Sequence, residues 1–491
     1  MTASIMVQGT ASHVGKSVVA AGLCRLFANE GVRVAPFKSQ NMSLNSFVTV
    51  DGGEIARAQE LMARGARVTP TIDMNPILLK PRGDHRCEVI AHGRAIGDFS
   101  ARDYAKKVRS KALEAIARSL EKLKSEYDLL VIEGAGSPAE INLRKYDICN
   151  MKVARMADAP VLLVADVDAG GALAAVVGTL ALLTPGERDM VRGTIINKFR
   201  GDLSLLEPGL DILEKKTRKK VLGVLPYFDC SYLDEEDTLH DSGRSGGADV
   251  AVVRLPYTSN FTDFEPVARQ VPLAWARKPG ELEGARVIII PGTRNTLLDL
   301  EWLRQSGFAE AIKARAAGGT AVIGICGGYQ MLGEKLVDPD GTEARAGTYE
   351  GLGLLPLSIT YERPKTTNQV RAKVLADIGV LPGIAGRELT GYEIHTGRAT
   401  VSGEVQPLFF EREGHKGAGD GAVSPDGMVF GTHLHGLFNN RAAIEALCRF
   451  LKRTPHQDDY NERADQSLDE LAAVIKECLD MKYLHELVGL G

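Results

Sequence analysis

The chain lacks any cysteine pattern. Its seven cysteines are scattered, with no CxxC pair and no matching histidine cluster. That excludes a disulfide framework and a structural zinc site and points to a reducing compartment. It also lacks an excess of charge of one sign: 59 Lys and Arg stand against 63 Asp and Glu, a net charge of −4. Neither nucleic acid nor an anionic membrane is therefore expected as a partner. Long apolar runs are missing too. The most membrane-like stretch, GALAAVVGTLALL from Gly171, falls short of the roughly 18 apolar residues a span needs and reads as a buried helix. No signal peptide opens the chain, because SIMV runs straight into a polar loop, so a cytoplasmic location is expected. No internal repeat or low-complexity segment is present.

What is abundant is glycine, 52 residues among 491, as many tight strand-to-helix turns require. The runs SIMVQG, VRVAPF, DLLVIEG, PVLLVAD, VRGTIINK and VLGVLP are uninterrupted apolar strands, the pattern of a parallel sheet covered on both faces. Helical stretches lie between them (Ser17–Glu30, Gly53–Arg67 and Arg102–Glu126), so the expected fold is doubly wound α/β. The alternation breaks at DEEDTLHDSGRSGGAD, which has the composition of a linker. It then restarts with DVAVVRLP, ARVIIIPG and GTAVIGICGG. The expected boundaries are a first domain over 1–233, a linker over 234–247, a second α/β domain over 248–445 and a C-terminal helical tail over 446–491.

GTASHVGKS, Gly9–Ser17, follows a strand and precedes a helix, as a phosphate loop must. It has five residues between its first glycine and the Gly-Lys pair, where a Walker A loop has four. Backbone N–H groups from Gly9, Thr10 and Gly15 onward would cradle phosphates. Lys16 would reach the terminal ones, and the Ser17 hydroxyl would ligate Mg²⁺. Three further strand ends carry suitable groups. Glu133 in LLVIEGAG and Asp166, with Asp168 behind it, in PVLLVADVDAGG suit a metal; Asn197 and Lys198 in GTIINKFRGD suit a purine. One strand-end carboxylate is usually a cap, but four such ends together are hard to dismiss. PFKSQNMSLNS places Lys38, Gln40 and Asn41 directly after the second strand, where a solvated loop and a substrate contact fit equally well. Lys80 in MNPILLKPRGD either meets a phosphate or faces water.

In AVIGICGGYQML a buried strand ends in Cys326, and Gly327-Gly328 opens a helix. This is a nucleophile elbow, and the helix N-terminus favours the thiolate. A base would come from GMVFGTHLHGLF, whose spacing does not choose between His433 and His435. The turn PGTRNT brings a backbone N–H of Gly292 or Thr293 toward the cysteine, and Gly327 gives the other half of an oxyanion hole.

The nine-residue loop resembles that of dethiobiotin synthetase and its relatives, which activate a carboxylate with ATP. The Cys326 elbow and downstream histidine resemble the class I glutamine amidotransferases, in which a Cys–His pair strips ammonia from glutamine. The resemblance implies two doubly wound domains, an N-terminal P-loop-type synthetase domain and a C-terminal class I glutamine amidotransferase domain. Amidotransferases of this class often have Glu two residues after the base, where this chain has Leu437. The His-Gly form here is that of the cobyric acid synthases, and this match favours His435. Glu393 in GYEIHTGR is then a candidate to orient the imidazole.

The series PFKSQNMSLNS, MNPILLKP, EGAGSPAEINL, INKFRGD, GICGGYQMLG, GYEIHTGR and GTHLHGLF is similar, in that order, to the motifs of the cobyric acid synthase family. The likeness implies an ATP- and glutamine-dependent ligase that amidates the b, d, e and g carboxylates of adenosylcobyrinic acid a,c-diamide. One departure is Ala169, where the family usually has Arg. QNMSLNS and MNPILLKP argue against the related cobyrinic acid a,c-diamide synthases. The loop has no extra Lys near its start, which argues against a regulatory ATPase carrying an inert glutaminase-like domain.

Overall fold

The structure is a computed structural model that describes residues 2–82, 86–230, 232–233, 247–402, 406–407 and 419–490. The chain divides into two units. The first comprises 1–43, 53–236 and 462–491, the second 44–52 and 237–461.

In the first unit six strands form one parallel sheet, in the order Lys220–Pro226, Val191–Phe199, Val161–Asp166, Ala3–Gly9, Leu129–Glu133, Val34–Phe37. These are the apolar runs of the sequence, and all but the edge strand Lys220–Pro226, buried only at Leu222 and Leu225, are largely buried. The first strand of the chain lies inside the sheet, and its neighbours on the two sides are reached by separate crossovers. The carboxyl ends of Ala3–Gly9, Leu129–Glu133 and Val161–Asp166 therefore meet at a topological switch point, where open α/β sheets bind ligands. A second sheet joins Gln40–Met42, Ile77–Arg82, Arg86–Ala91 and Arg94–Ser100.

Three expectations are corrected here. Residues 462–491 do not stand apart as a tail. The helix Tyr460–Cys478 sets Leu468, Leu471 and Ile475 into the core that also holds the helix Lys16–Asn29. Burying three such side chains contributes about 1.5–3 kcal/mol each. The seam is tight, for a Cβ at Gly22 would lie 2.4 Å from Ile475 Cδ1. Arg25 is fully buried in it and ion-paired to Asp465 at 2.7 Å. Nor is Ala172–Leu182 a fully buried helix: Ala172, Val176, Thr179 and Leu180 form its buried stripe, and Leu182 is exposed. Its exposed side is mostly alanine (Ala174, Ala175 and Ala181), which sits on a surface at little cost. The expected helix over 53–67 begins instead with a strand, Glu54–Ala56, before Arg57–Gly65. The linker read at 234–247 lies, apart from Gly247, outside the described residues.

In the second unit the sheet order is Leu273–Ala276, Val250–Val253, Val287–Ile290, Ala321–Ile325, Val429–Thr432, Ala422–Val423, Gln406–Pro407. The first five are parallel and the last two antiparallel. A long hairpin of Leu357–Lys373 and Glu388–Val401 builds a further sheet. Because Ala321–Ile325 lies between Val287–Ile290 and Val429–Thr432, three adjacent strand ends deliver the 291–296 turn, Cys326 and the two histidines to one edge.

Candidate active sites

Cys326 has φ 51° and ψ −111°, a strained conformation for a residue with a Cβ, held by its surroundings. Its N–H donates to Thr432 O at 2.8 Å, and its carbonyl accepts from Gln330 N at 3.1 Å, inside the following helix. The two glycines after it answer to crowding: a Cβ at Gly328 would lie 2.0 Å from Ile290 O. The 291–296 turn stands against the same elbow. A Cβ at Gly292 would come 2.9 Å from His435 Cε1, and one at Gly327 would come 3.3 Å from Thr293 N. A Cβ at Gly292 would also lie 3.8 Å from the Cys326 Cβ, so Gly292, Thr293 and Gly327 stand together beside the cysteine, and the Gly327 N–H favours its thiolate.

Of the two histidines, His435 is the one whose charge acts most strongly on the Cys326 thiol, which itself lies 3.5 Å from Ile394 O. Its Nδ1 meets Asp263 Oδ2 at 2.7 Å, and Gly436 N–H donates to Asp263 Oδ1 at 3.1 Å. Tyr392 stacks on the ring at 5.3 Å. His433 has another occupation: Nδ1 meets Asp420 at 2.6 Å, Nε2 meets the Gln330 amide at 3.1 Å, and His395 stacks on it at 3.7 Å. Glu393 is not the group that orients the base. It is buried, with Oε2 3.8 Å from His395 Nε2, while Asp263 holds His435. Asp263 sits in the short helical turn Phe261–Phe264, 172 residues upstream of the histidine. Nothing in SNFTDFEP marks it in the sequence.

Burial, the largest single influence, would push the Cys326 thiol up, but His435, the His433 charge and the Gly327 N–H together hold it below its ordinary value. Burial would likewise depress His435, yet the Asp263 carboxylate and the thiolate push it up to about 10. Both shifts favour the thiolate and imidazolium pair, the reactive form. By contrast, burial raises the thiols of Cys24, Cys87, Cys149, Cys448 and Cys478.

In the first unit Gly15 takes φ 93° at the turn into the helix, where a Cβ would lie 2.2 Å from Asn197 Nδ2. Asn197 donates from that nitrogen to Val14 O at 2.9 Å, so it braces the loop from the next strand end but one. Thr10 N–H donates to Val164 O at 2.9 Å. Lys16 Nζ donates to Ala11 O at 3.0 Å, and Lys198 Nζ to His13 O at 2.7 Å. Ser17 Oγ donates to Glu133 Oε1 at 2.8 Å, and the buried Lys38 donates to the same oxygen at 3.1 Å. Among the described residues Glu133 Oε2 is buried with no hydrogen-bond partner.

The remaining expected residues are placed as follows. Asp166 ends the strand on the other side of the loop strand from Glu133. There it is ion-paired to Lys198 at 2.9 Å and accepts the N–H groups of Asp168 and Ala169. Ala169 is exposed. Gln40 accepts from the Tyr104 hydroxyl, and Asn41 is buried. Lys80 does not face water: it is buried and paired to Glu54 at 2.6 Å. Among the described residues no group of three or more His, Cys, Asp or Glu could hold a metal ion, and no helix is long and apolar enough to cross a membrane.

Residues 5–238 match the model of the CobQ/CobB/MinD/ParA nucleotide binding domain, and residues 249–443 that of the CobB/CobQ-like glutamine amidotransferase domain. Over its whole length the chain is similar to proteins named cobyric acid synthase. It is 49% identical to that of Sorangium cellulosum (strain So ce56), over 100% of this chain and 99% of the relative. It is 46% identical to that of Desulforamulus reducens, over 99% and 98%, and 45% identical to that of Citrobacter koseri, over 99% and 99%.

Proposed function

The chain belongs to the cobyric acid synthase family, and from that premise we propose that it amidates the b, d, e and g carboxylates of adenosylcobyrinic acid a,c-diamide, using ATP and glutamine, to give adenosylcobyric acid. The observation that supports this most is that one chain carries an ammonia-releasing centre and a phosphate-loop centre together. The Cys326–His435–Asp263 chain of contacts belongs to the first, and Lys16, Ser17, Lys38 and Glu133 to the second. Each explains the other.

Cys326 attacks the glutamine carboxamide carbon as the thiolate. The oxyanion that forms is received by Gly327 N–H together with Gly292 or Thr293 N–H. His435 gives its proton to the departing ammonia, leaving a thioester, and then takes a proton from the water that hydrolyses it. Asp263 keeps Nδ1 protonated, so that Nε2 faces the sulfur.

In the first unit the loop N–H groups and Lys16 hold the phosphates of ATP, and Asn197 keeps the loop in shape. A corrinoid carboxylate oxygen attacks the γ-phosphorus, the bond to the β-phosphate oxygen breaks, and ADP leaves an acyl phosphate. Ammonia attacks the acyl carbon, loses a proton, and inorganic phosphate departs. The Ser17 hydroxyl and the unpartnered Glu133 oxygen are hard oxygen donors suited to Mg²⁺, with Asp166 behind them on Lys198. Bound there, the ion neutralises phosphate charge. Lys38 brings a fixed positive charge to the same place, and Gln40 and Asn41 follow it on the substrate side. All seven cysteines are free, which fits a reducing, cytoplasmic setting.

The test is turnover of adenosylcobyrinic acid a,c-diamide followed by mass spectrometry. We expect four successive mass changes of one amidation each with glutamine, lost in Cys326→Ala and restored by ammonium chloride. An unchanged corrinoid with continued ATP hydrolysis overturns the substrate.

A further inference from the structure

A cavity of about 1120 Å³ opens beside the phosphate loop of the first unit, with Thr10, Ala11 and Ser12 at one end. It is at the top of the size range of small-molecule sites, far larger than one carboxylate requires. One wall is apolar, with Leu79, Val89 and Phe99 from the antiparallel sheet. Large apolar side chains at its edge are left exposed: Met42 by 54%, Leu143 by 53% and Tyr146 by 44%. Exposed apolar groups gathered around one concavity mark a binding surface.

The opposite wall is a helical run with an irregularity in it. The short turn Ala101–Asp103 passes into a π-helical turn, Tyr104–Val108, and then into the helix Arg109–Glu126. π-helical turns concentrate at functional sites. This one carries Arg102, Lys106 and Arg109, all lining the cavity and spaced four and three residues apart, so they share a face. Among the described residues the buried Arg109 Nε has no hydrogen-bond partner, so a donor of this wall is left for something inside. The phosphates of ATP are already served by the loop and Lys16. Glu140, Arg144, Asp147 and Glu187 also line the cavity, but Asp147 accepts the N–H groups of Cys149 and Asn150, and Glu187 is paired with Arg144 and Arg155. Arg102, Lys106 and Arg109, beside the apolar wall, call for a different ligand, a bulky apolar body that carries several carboxylates.

We propose that this cavity is the corrinoid site, a reading that rests on the function proposed above. The macrocycle lies against Phe99, Met42 and Tyr146. Its peripheral carboxylates face Arg102, Lys106 and Arg109, and one carboxylate at a time reaches the Thr10–Ser12 end, where the γ-phosphate is presented. Four amidations at one centre require the ring to be re-seated. A roomy cavity with three equivalent cations allows that, and each amidation removes one negative charge and loosens the hold.

The experiment uses the full-length protein with ammonium chloride as nitrogen donor and compares wild type with Arg102→Gln, Lys106→Gln, Arg109→Gln and the cavity-filling Ala105→Trp. Arg102 and Lys106 are exposed, so their neutralisation leaves the core intact, which thermal unfolding checks. The KM for adenosylcobyrinic acid a,c-diamide should rise about tenfold for each lost charge-assisted contact, while the KM for ATP stays within about twofold. The rise should shrink from the first amidation to the fourth as the substrate loses charge, a gradient that a merely structural role would not produce. Ala105→Trp should abolish corrinoid turnover. If wild type amidates the corrinoid and all four variants keep its KM, the cavity assignment falls and the function stands. If wild type leaves the corrinoid untouched, both fall.

Discussion

In the second unit the charged groups of the proposed centre face one another along the line of the chemistry: Asp263 to His435, and His435 to Cys326. In the first, the corresponding groups are turned onto the protein itself. Lys16 lies on Ala11 O, Lys198 on His13 O and Asp166, and Ser17 and Lys38 both lie on Glu133. The difference follows from what each centre must do. A thiol becomes a nucleophile only if its partners shift its ionisation before substrate arrives, so its carboxylate and imidazole are fixed in advance. Phosphate-binding groups need no shifted ionisation. They need a resting partner that phosphate and metal oxygens replace, and loop carbonyls and carboxylates serve.

The sharpest way to break this comparison is at Asp263. Asp263→Asn keeps the shape but removes the charge that holds His435 up to about 10, and glutamine-dependent turnover should fall by about 10³–10⁴-fold. The sign of the pH effect is fixed. An imidazolium without its carboxylate deprotonates at lower pH, so the alkaline limit of glutaminase activity should move from about 10 toward the ordinary histidine value of 6.5. Ammonia-dependent turnover should not move. An equal effect from Glu393→Gln, with none from Asp263→Asn, would reverse the assignment.

In the other centre, Glu133→Gln keeps the hydrogen bonds of Ser17 and Lys38 and removes the charge. Ammonia-dependent amidation should drop by about 10²–10³-fold, the scale of losing one electrostatic group aimed at developing charge. Part of the loss should be recovered at high magnesium concentration. A variant with wild-type turnover at low magnesium would dissociate Glu133 from the metal.

The thiols give a smaller test. Cys326 is held below the ordinary thiol value whereas burial pushes Cys149 up to about 12. At pH 7 iodoacetamide should label Cys326 at least about tenfold faster than any other cysteine, with loss of glutamine-dependent activity in step. Glutamine should protect it.

These contrasts also show what was legible in the sequence and why. The phosphate loop, the elbow and the strand ends are contiguous stretches whose spacing carries their geometry, and they fall where the residues imply. Asp263 was not legible. It reaches His435 from an irregular turn, and a contact across 172 residues leaves no period behind. The choice between His433 and His435 rested on resemblance, since both are buried on one strand end and only their carboxylates, Asp420 and Asp263, tell them apart. The helix Tyr460–Cys478 shows its amphipathic face plainly, but sequence does not say what covers it. Gly22 and Arg25, far upstream, do.

The polar run 40–46 offers the finest test, because it is shared between the units. Gln40 belongs to the first, while Asn45 and Ser46 belong to the second. There Asn45 Oδ1 accepts Phe261 N–H at 3.1 Å, at the start of the turn that carries Asp263. Ser46 N–H donates to Asn260 Oδ1 at 2.7 Å. With its oxygen so engaged, the Asn260 amide must turn its nitrogen toward His435, which lies 3.3–3.4 Å away. Asn45 is thus a positioning residue for the glutaminase, two contacts removed from the thiol. Asn45→Ala removes the buried hydrogen bond to Phe261 N–H, worth about 1 kcal/mol, so the kcat for glutamine should fall about fivefold. The KM for glutamine and the ammonia-dependent rate should stay put, and Asn45→Asp, which keeps an acceptor, should recover most of the loss. If Asn45→Ala lowers both nitrogen sources equally, the segment supports the fold and not the imidazole.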